Sequence, residues 1–287
     1  MRPQVRFGGC AFVLLVTRLL QGELAASEAA ELPIIVRDGL LWLEVCVPQS
    51  VKPLNFLVDT GASASVLNLS TARRLGLQSA AEVRVTGVQA KLSGQWPVKL
   101  CAKANQVELP REYLALDLTQ LSGACRCSVD GLVGADFFRD RVIQIDYAAQ
   151  RLRVLGANAR VVGTNVIPLE LRPCGLRVPV SVNGGRRRWV RLDTGCATAF
   201  HWVTADVPAE ECSSRHAVGL AQLWVPQTVC SISLGDLRVD GVTTGLHQTA
   251  IFAGESGLLG NGLLARFGVI TIDARSRRLI VGSCSEE

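Results

Sequence analysis

Two aspartates stand in the same short motif. Asp59-Thr60-Gly61 and Asp193-Thr194-Gly195 are identical tripeptides that lie 134 residues apart. Each aspartate ends an apolar, strand-like run, residues 55–58 in the first copy and 189–192 in the second. Two carboxyl groups that are brought together can share a proton and activate a water molecule. A single Asp-Thr-Gly more often marks a polar turn, so the surroundings of the two motifs must decide between these readings.

The surroundings of the two motifs repeat in the same order. The paired landmarks, first copy before second, are Leu32-Pro33 and Ile167-Pro168, Gly131-Leu132-Val133-Gly134 and Gly257-Leu258-Leu259-Gly260, Val142-Ile143-Gln144-Ile145-Asp146 and Val269-Ile270-Thr271-Ile272-Asp273, and Arg151-Leu152 and Arg278-Leu279. A repeat of this length predicts a duplicated structural unit.

Length and composition agree with two packed units. The chain has 287 residues, enough for two cores, and 48% of them are hydrophobic. Short β-branched runs separated by Gly and Pro favour an all-β fold. The join near residues 156–159 contains no low-complexity spacer, so we expect the two units to pack against each other.

With these motifs the chain resembles the retropepsin-like aspartic proteases, in the single-chain form with two tandem lobes. The resemblance covers nearly everything after the N-terminal segment. It implies an all-β, bilobal acid-protease fold in which two duplicated β-barrel lobes enclose the active site. The expected boundaries are a signal peptide at 1–30, an N-terminal lobe at 31–157 and a C-terminal lobe at 158–287.

Short helices are expected beside the predicted site. Residues 69–77 read as a helix with Asn68 or Ser70 as its cap and Gly76 as its stop. The resemblance implies two more, at 135–138 and 261–264. The second lobe has no recognisable equivalent of the first of these helices at 200–208.

The resemblance implies an aspartic endopeptidase that acts on peptides or polypeptides without a cofactor. Asp59 and Asp193 would be catalytic, with one ionised to draw a proton from water and the other protonated to donate to the developing oxyanion. The residues that would support the catalytic loops are Thr60, Gly61, Thr194 and Gly195. The threonine hydroxyls would join the two loops, and the glycines would permit close backbone approach.

The residue after each motif glycine bears on the pH of activity. Many pepsin-like enzymes carry a hydroxyl there that stabilises the carboxylate, whereas this chain has Ala62 and Cys196. Fewer hydrogen bonds to the charged form raise a carboxyl pKa. We therefore expect an optimum less acidic than that of pepsin-like enzymes. Cys196 itself should lie beside the carboxylates as a weak donor, a packing group or an oxidation-sensitive thiol.

Two segments are candidate flaps over a cleft, one in each lobe. They are residues 85–88 and 218–220, and each is followed by a tryptophan and a proline. Plain surface hairpins would give the same pattern, because glycine in a turn is common.

A non-catalytic alternative is a secreted peptide-binding protein with the same bilobal fold. Such a protein would have no need for two intact Asp-Thr-Gly motifs. The divergence after Asp193 keeps this alternative open.

The N-terminus has the features of a secretory signal. Arg2 and Arg6 precede an apolar stretch at 11–16, and small residues follow at 24–30. We therefore expect a secreted or periplasmic protein with no stable membrane span after the signal is removed. Both aspartates come from one chain, so a monomer is expected.

Charge and cysteines suggest no further ligand. The formal net charge is +5, but the basic residues are scattered except for residues 186–188, which should form an exposed hairpin tip, so no nucleic-acid partner is expected. The ten cysteines and three histidines show no metal-ligand spacing, and no metal site is expected. Cys101 and Cys230 could be buried apolar residues or disulfide partners.

Overall fold

The computed structural model describes residues 29–87, 90–156, 159, 161, 163–207, 213–218 and 221–282. Of the predicted signal peptide, only Ala29 and Ala30 fall within the described residues, and Ala30 already begins a strand.

Among the described residues, the first half of the chain forms thirteen strands and three short helices. The strands are β1 (Ala30–Pro33), β2 (Ile35–Arg37), β3 (Leu40–Val47), β4 (Ser50–Val58), β5 (Val66–Asn68), β6 (Ser79–Gly87), β7 (Ala90–Lys99), β8 (Lys103–Ala104), β9 (Val107–Glu108), β10 (Glu112–Leu116), β11 (Gly131–Val133), β12 (Val142–Asp146) and β13 (Arg151–Leu155). The helices are α1 (Leu69–Arg74), α2 (Thr119–Ala124) and α3 (Ala135–Phe138).

The described part of the second half repeats this pattern with fewer helices. Its strands are β14 (Asn165–Pro168), β15 (Glu170–Arg172), β16 (Gly175–Val182), β17 (Arg188–Asp193), β18 (Phe200–Val203), β19 (Ser213–Val218), β20 (Ala221–Leu234), β21 (Leu237–His247), β22 (Gly257–Gly260), β23 (Val269–Asp273) and β24 (Arg278–Val281). Helix α4 (Asn261–Leu264) is followed by a 3-10 turn at Ala265–Phe267. None of the described helices is long and apolar enough to cross a membrane.

The predicted helices are present and have the expected ends. In α1 the Asn68 side chain accepts a hydrogen bond from the Ser70 N–H at 3.2 Å, and Gly76 has a φ of +66°, which favours glycine. Helices α3 and α4 occupy the positions expected at 135–138 and 261–264. No helix follows the second motif in the described part of 200–208, where β18 stands instead.

Each half builds its own curled sheet. In the first half the strand order is β6-β7-β10-β5-β11-β4-β3-β8-β9, with β2 on β3. In the second half it is β15-β16-β17-β22-β18-β21-β20-β19, and a further pairing of β16 with β20 closes six strands into a barrel. The two sheets share a local pattern, because β11 runs parallel to β4 as β22 runs parallel to β17.

A third sheet contains strands from both halves. Its order is β1-β13-β12-β23-β24-β14, with β12 and β23 antiparallel at the centre. The repeated segments 142–146 and 269–273 are therefore paired directly with each other, as Ile145 opposite Ile270 shows. The main hydrophobic core is continuous from Leu32 to Val281, so the halves are packed together.

The basic triplet at 186–188 and the cysteines Cys101 and Cys230 differ in exposure. Arg186 and Arg187 are exposed in the β16–β17 turn, as predicted. The prediction is wrong for Arg188, which begins β17 and is half-buried, because its guanidinium bonds to Ser256 and Val203 and lies over Trp202. Cys230 is buried, whereas Cys101 is exposed, so the buried interpretation is wrong for Cys101. Neither cysteine is in a disulfide, and none of the seven cysteines in the described residues is paired.

Candidate active site

The two motif aspartates lie at equivalent strand ends. Asp59 directly follows β4, and Asp193 is the last residue of β17. Each of these strands has a parallel neighbour, β11 or β22, that holds the strand end in place. A tight loop follows each aspartate and contains the motif glycine two residues later.

The motif glycines allow the two loops to touch. A Cβ added at Gly61 would collide with the carboxyl group of Asp193, and a Cβ added at Gly195 would collide with the carboxyl group of Asp59. Each glycine is therefore required by the opposite aspartate.

The two threonines exchange hydrogen bonds between the loops. The Thr60 hydroxyl donates to the Leu192 carbonyl at 2.8 Å and accepts from the Thr194 N–H at 3.1 Å. In the mirrored arrangement, the Thr194 hydroxyl donates to the Val58 carbonyl at 2.8 Å and accepts from the Thr60 N–H at 3.0 Å. Both threonines are fully buried, so these four bonds fix the two aspartates relative to each other.

The two carboxyl groups lie close enough to influence each other's pKa but differ in their hydrogen-bond partners. Oδ1 of Asp59 accepts from the Gly61 N–H at 2.9 Å and from the Ala62 N–H at 3.0 Å. Oδ1 of Asp193 accepts from the Gly195 N–H at 2.9 Å, while the Cys196 N–H bonds to the main-chain oxygen of Asp193 at 3.3 Å. The first carboxylate is the better stabilised of the two.

Burial is the main reason why the pKa of both aspartates is raised. For Asp59 burial outweighs the hydrogen bonds from Ala62, Asp193 and Gly61, and the pKa lies above the usual range. For Asp193 burial acts together with the negative charge of Asp59, and its pKa is raised well above that range. The direction agrees with the sequence argument, but burial rather than a missing hydroxyl is the largest cause.

Cys196 lies against the pair as predicted. Its side chain is 1% exposed, and burial, together with the Asp193 charge, raises the pKa of the thiol to about 12. The sulfur lies 3.0 Å from the Thr198 hydroxyl, which is 2.7 Å from Nε2 of His201. A thiol with this pKa is protonated at neutral pH and acts as a packing group and weak hydrogen-bonding partner.

The chain just after β11 in the first lobe and just after β22 in the second is held by different side chains. In the first lobe Ser65 donates to Asp136 at 2.8 Å and accepts from the Gly134 N–H at 3.0 Å. In the second lobe Asn261 donates to the Thr194 carbonyl at 2.5 Å and accepts from the Tyr147 hydroxyl at 2.8 Å. Sequence reasoning missed these residues because the two lobes use different side chains for the same task.

Arg191 is a further residue that sequence reasoning passed over. It stands two residues before Asp193, where the first copy has Leu57, and it is 4% exposed. Its guanidinium donates to the Gly61 carbonyl at 2.8 Å. A charged residue at an apolar position of the repeat was the available signal.

A cleft of about 290 Å³ opens above the aspartates, near the lower end of the range for ligand pockets. Its first-lobe wall is aliphatic, and the second-lobe wall contains Arg191 and Phe252. Val85 and Leu92, which face each other on the β6–β7 hairpin, line the cleft. The first candidate flap therefore contacts the cleft; the β19–β20 hairpin carries the second, whose tip at 219–220 lies outside the described residues.

In the described ranges, no three His, Cys, Asp or Glu side chains are grouped so that they could hold a metal ion.

Comparison with known proteins agrees with this geometry. Residues 43–137 match the family model described as "Aspartyl protease". No curated protein matches the chain in sequence. Among solved structures, the chain is similar to an aspartic proteinase from Irpex lacteus, with a TM-score of 0.58 and 13% identity over 90% of this chain and 98% of that one. The resemblance seen in the two motifs is thereby confirmed: the chain has the bilobal, all-β fold of an aspartic proteinase and matches the aspartyl protease family over residues 43–137.

Proposed function

We propose that the chain is an aspartic endopeptidase in which Asp59 and Asp193 activate a water molecule to hydrolyse peptide bonds. The observation that carries the proposal is the placement of the two carboxyl groups at the floor of one cleft, each against the motif glycine of the other lobe and fixed by the threonine exchange. The family match over 43–137 supports a protease in general.

The reaction needs one proton on the pair. The ionised aspartate accepts a proton from water as the oxygen attacks the peptide carbonyl, and the protonated aspartate donates to the carbonyl oxygen. When the tetrahedral species collapses, a proton passes to the leaving nitrogen and the pair regains its starting state. Thr60 and Thr194 hold the geometry and take no proton.

The proposed substrate is a peptide or polypeptide in extended form, seated in the cleft without a cofactor. Secretion or export to the periplasm, a monomeric state, and lobes bounded at 31–157 and 158–287 are further parts of the proposal. They rest on the sequence features described above.

The test is cleavage of a diverse peptide library across pH by the wild type, Asp59→Asn and Asp193→Asn, with and without a pepstatin-type inhibitor. We expect turnover that the inhibitor blocks and that falls by at least about 10³-fold in either variant, because each loses one of the two proton-transfer groups. A folded wild type that binds peptides but cleaves none at any pH would favour the non-catalytic peptide-binding protein.

A further inference from the structure

A buried cation lies beside the two carboxyl groups and has no part in the two-aspartate reaction described above. Arg191 is 4% exposed, and its first-lobe counterpart is the apolar Leu57. Burying a guanidinium is costly unless it is paired. The hydrogen bonds of Arg191 show which group its positive charge affects.

One peptide unit connects Arg191 to Asp59. Nη1 of Arg191 donates to the carbonyl oxygen of Gly61 at 2.8 Å. The N–H of that same peptide unit belongs to Ala62, and it donates to Oδ1 of Asp59 at 3.0 Å. A carbonyl that accepts a charged hydrogen bond polarises its amide, so the N–H becomes a stronger donor.

The guanidinium is fixed in place by its surroundings. Nη2 of Arg191 lies 3.2 Å from Oε1 of Glu255, whose other oxygen is 3.0 Å from Arg177. The Phe252 ring covers the guanidinium at 3.7 Å. Arg177 also lies 3.5 Å from Glu170, so the charge of Arg177 has a carboxylate partner besides Glu255.

The second loop has no equivalent connection. The N–H groups of Ala62 and Cys196 both bond to the main-chain oxygen of their aspartate, at 3.2 and 3.3 Å, but only the Ala62 N–H also reaches the carboxyl group. The Asp193 carboxyl group keeps only the Gly195 N–H as a backbone donor. Leu57, at the place that matches Arg191, carries no charge. The duplicated site is therefore asymmetric in its charge stabilisation.

We propose that Arg191 is a positioning residue that acts through the Gly61–Ala62 peptide to make Asp59 the ionised base and Asp193 the protonated acid. The names base and acid rest on the proposed function, whereas the assignment of the proton does not.

Other ionisable groups around the pair do not reproduce this effect. Those packed against it from neighbouring elements are Arg177, Glu255, Cys174 and Cys196. The positive charge of Arg191 lowers the pKa of both aspartates, opposing burial, but only Asp59 also receives the polarised N–H.

The test follows the carboxyl titrations directly, in full-length protein labelled with carbon-13 at the aspartate carboxyl groups. Asp59→Asn and Asp193→Asn assign the two signals. We expect Asp59 to titrate below Asp193 in the wild type and Arg191→Leu, which installs the first-lobe residue, to raise the Asp59 titration. Arg191→Lys keeps the charge and should restore part of the difference.

Glu255→Gln gives a control of opposite sign. It removes the negative charge that balances Arg191, so the Asp59 titration should move to lower pH. In Arg191→Leu the buried Glu255 carboxylate loses one of its two arginine partners, and the double variant Arg191→Leu/Glu255→Gln removes that carboxylate as well. The double variant should raise the Asp59 titration as Arg191→Leu does.

Kinetics provides a second readout. On the acidic limb of the kcat/KM profile, Arg191→Leu should lose activity by roughly tenfold, while a purely structural defect would lower the whole profile without moving its limbs. A folded Arg191→Leu with an unmoved Asp59 titration would overturn the proposal. If that variant does not fold, unmoved titrations in both Arg191→Lys and Glu255→Gln would overturn it. Failure of the wild type to cleave peptides would count against the protease alone, since the titrations need no turnover.

Discussion

At the scale of residues, identical motifs sit in unequal environments. Asp59 receives two backbone N–H groups and Asp193 receives one, although both begin the same tripeptide. Burial raises the pKa of both carboxyl groups, and the charge of Asp59 raises that of Asp193 further. The sequence repeat predicted the pair, while the difference between its members depends on Arg191.

Removing the Asp193 carboxyl group should make stability less sensitive to pH. A carboxyl whose pKa is raised on folding holds its proton more tightly in the folded state, so the free energy of unfolding decreases as pH rises above the usual aspartate range. Asp193→Asn removes this loss. We expect its free energy of unfolding, relative to the wild type, to be higher at pH 7 than at pH 4, measured by urea unfolding.

Asp240 offers a control of opposite sign. Hydrogen bonds from Ser231 and Arg238 hold the pKa of this exposed carboxyl below its usual range. Its contribution to stability is present above that range and is lost as pH falls, so Asp240→Asn should lose slightly more stability at pH 7 than at pH 4. A relative stability of Asp193→Asn that does not increase with pH would contradict the raised pKa.

At the scale of elements, the β6–β7 hairpin shows how one strand pair can serve two environments. Val85 and Leu92 are paired across the hairpin and line the cleft. The next pair, Arg84 and Ser93, alternates to the other face and is exposed. The sequence marked this segment by its glycine and tryptophan, but the same signals also suit an ordinary hairpin.

Shortening the cleft-facing side chains of this hairpin should weaken peptide binding. Val85→Ala and Leu92→Ala each remove methyl groups that would cover an apolar substrate side chain, at about 0.8 kcal/mol for each buried methylene. We expect KM for apolar peptides to rise by roughly three- to tenfold with a smaller change in kcat. Arg84→Ala, on the opposite face, is the matched control and should leave KM within about twofold; equal effects from both faces would show that the hairpin does not contact substrate.

At the scale of the whole molecule, the duplication accounts for the lobes but not for how they are joined. Strands β4 and β17 could be placed from the repeat because local patterning determines them, and helices α3 and α4 could be placed from the family resemblance. The pairing of β12 with β23 could not, since it depends on contacts between residues far apart in the chain. The hydrogen bonds of Arg191, Ser65 and Asn261 could not be predicted either, since their partners lie in distant segments.

The shared sheet and continuous core predict that both halves unfold together. Ile145 is fully buried in β12, pairs with Ile270 of β23, and belongs to the core that extends through both halves. Ile145→Ala should therefore cost about 2 to 5 kcal/mol of the free energy of unfolding. Trp42 in the first half and Trp202 in the second allow fluorescence, read in single-tryptophan variants, to follow each half during urea unfolding.

We expect the two tryptophan signals to share one transition and to shift together in Ile145→Ala, because a defect in the shared sheet removes support from both cores. Val166→Ala is the control: Val166 lies in β14 of the same sheet but is 46% exposed, so its loss should change stability by no more than about 0.5 kcal/mol. If the Trp202 transition stays in place while the Trp42 transition moves, the halves unfold independently, and the shared sheet joins the lobes without coupling their stabilities.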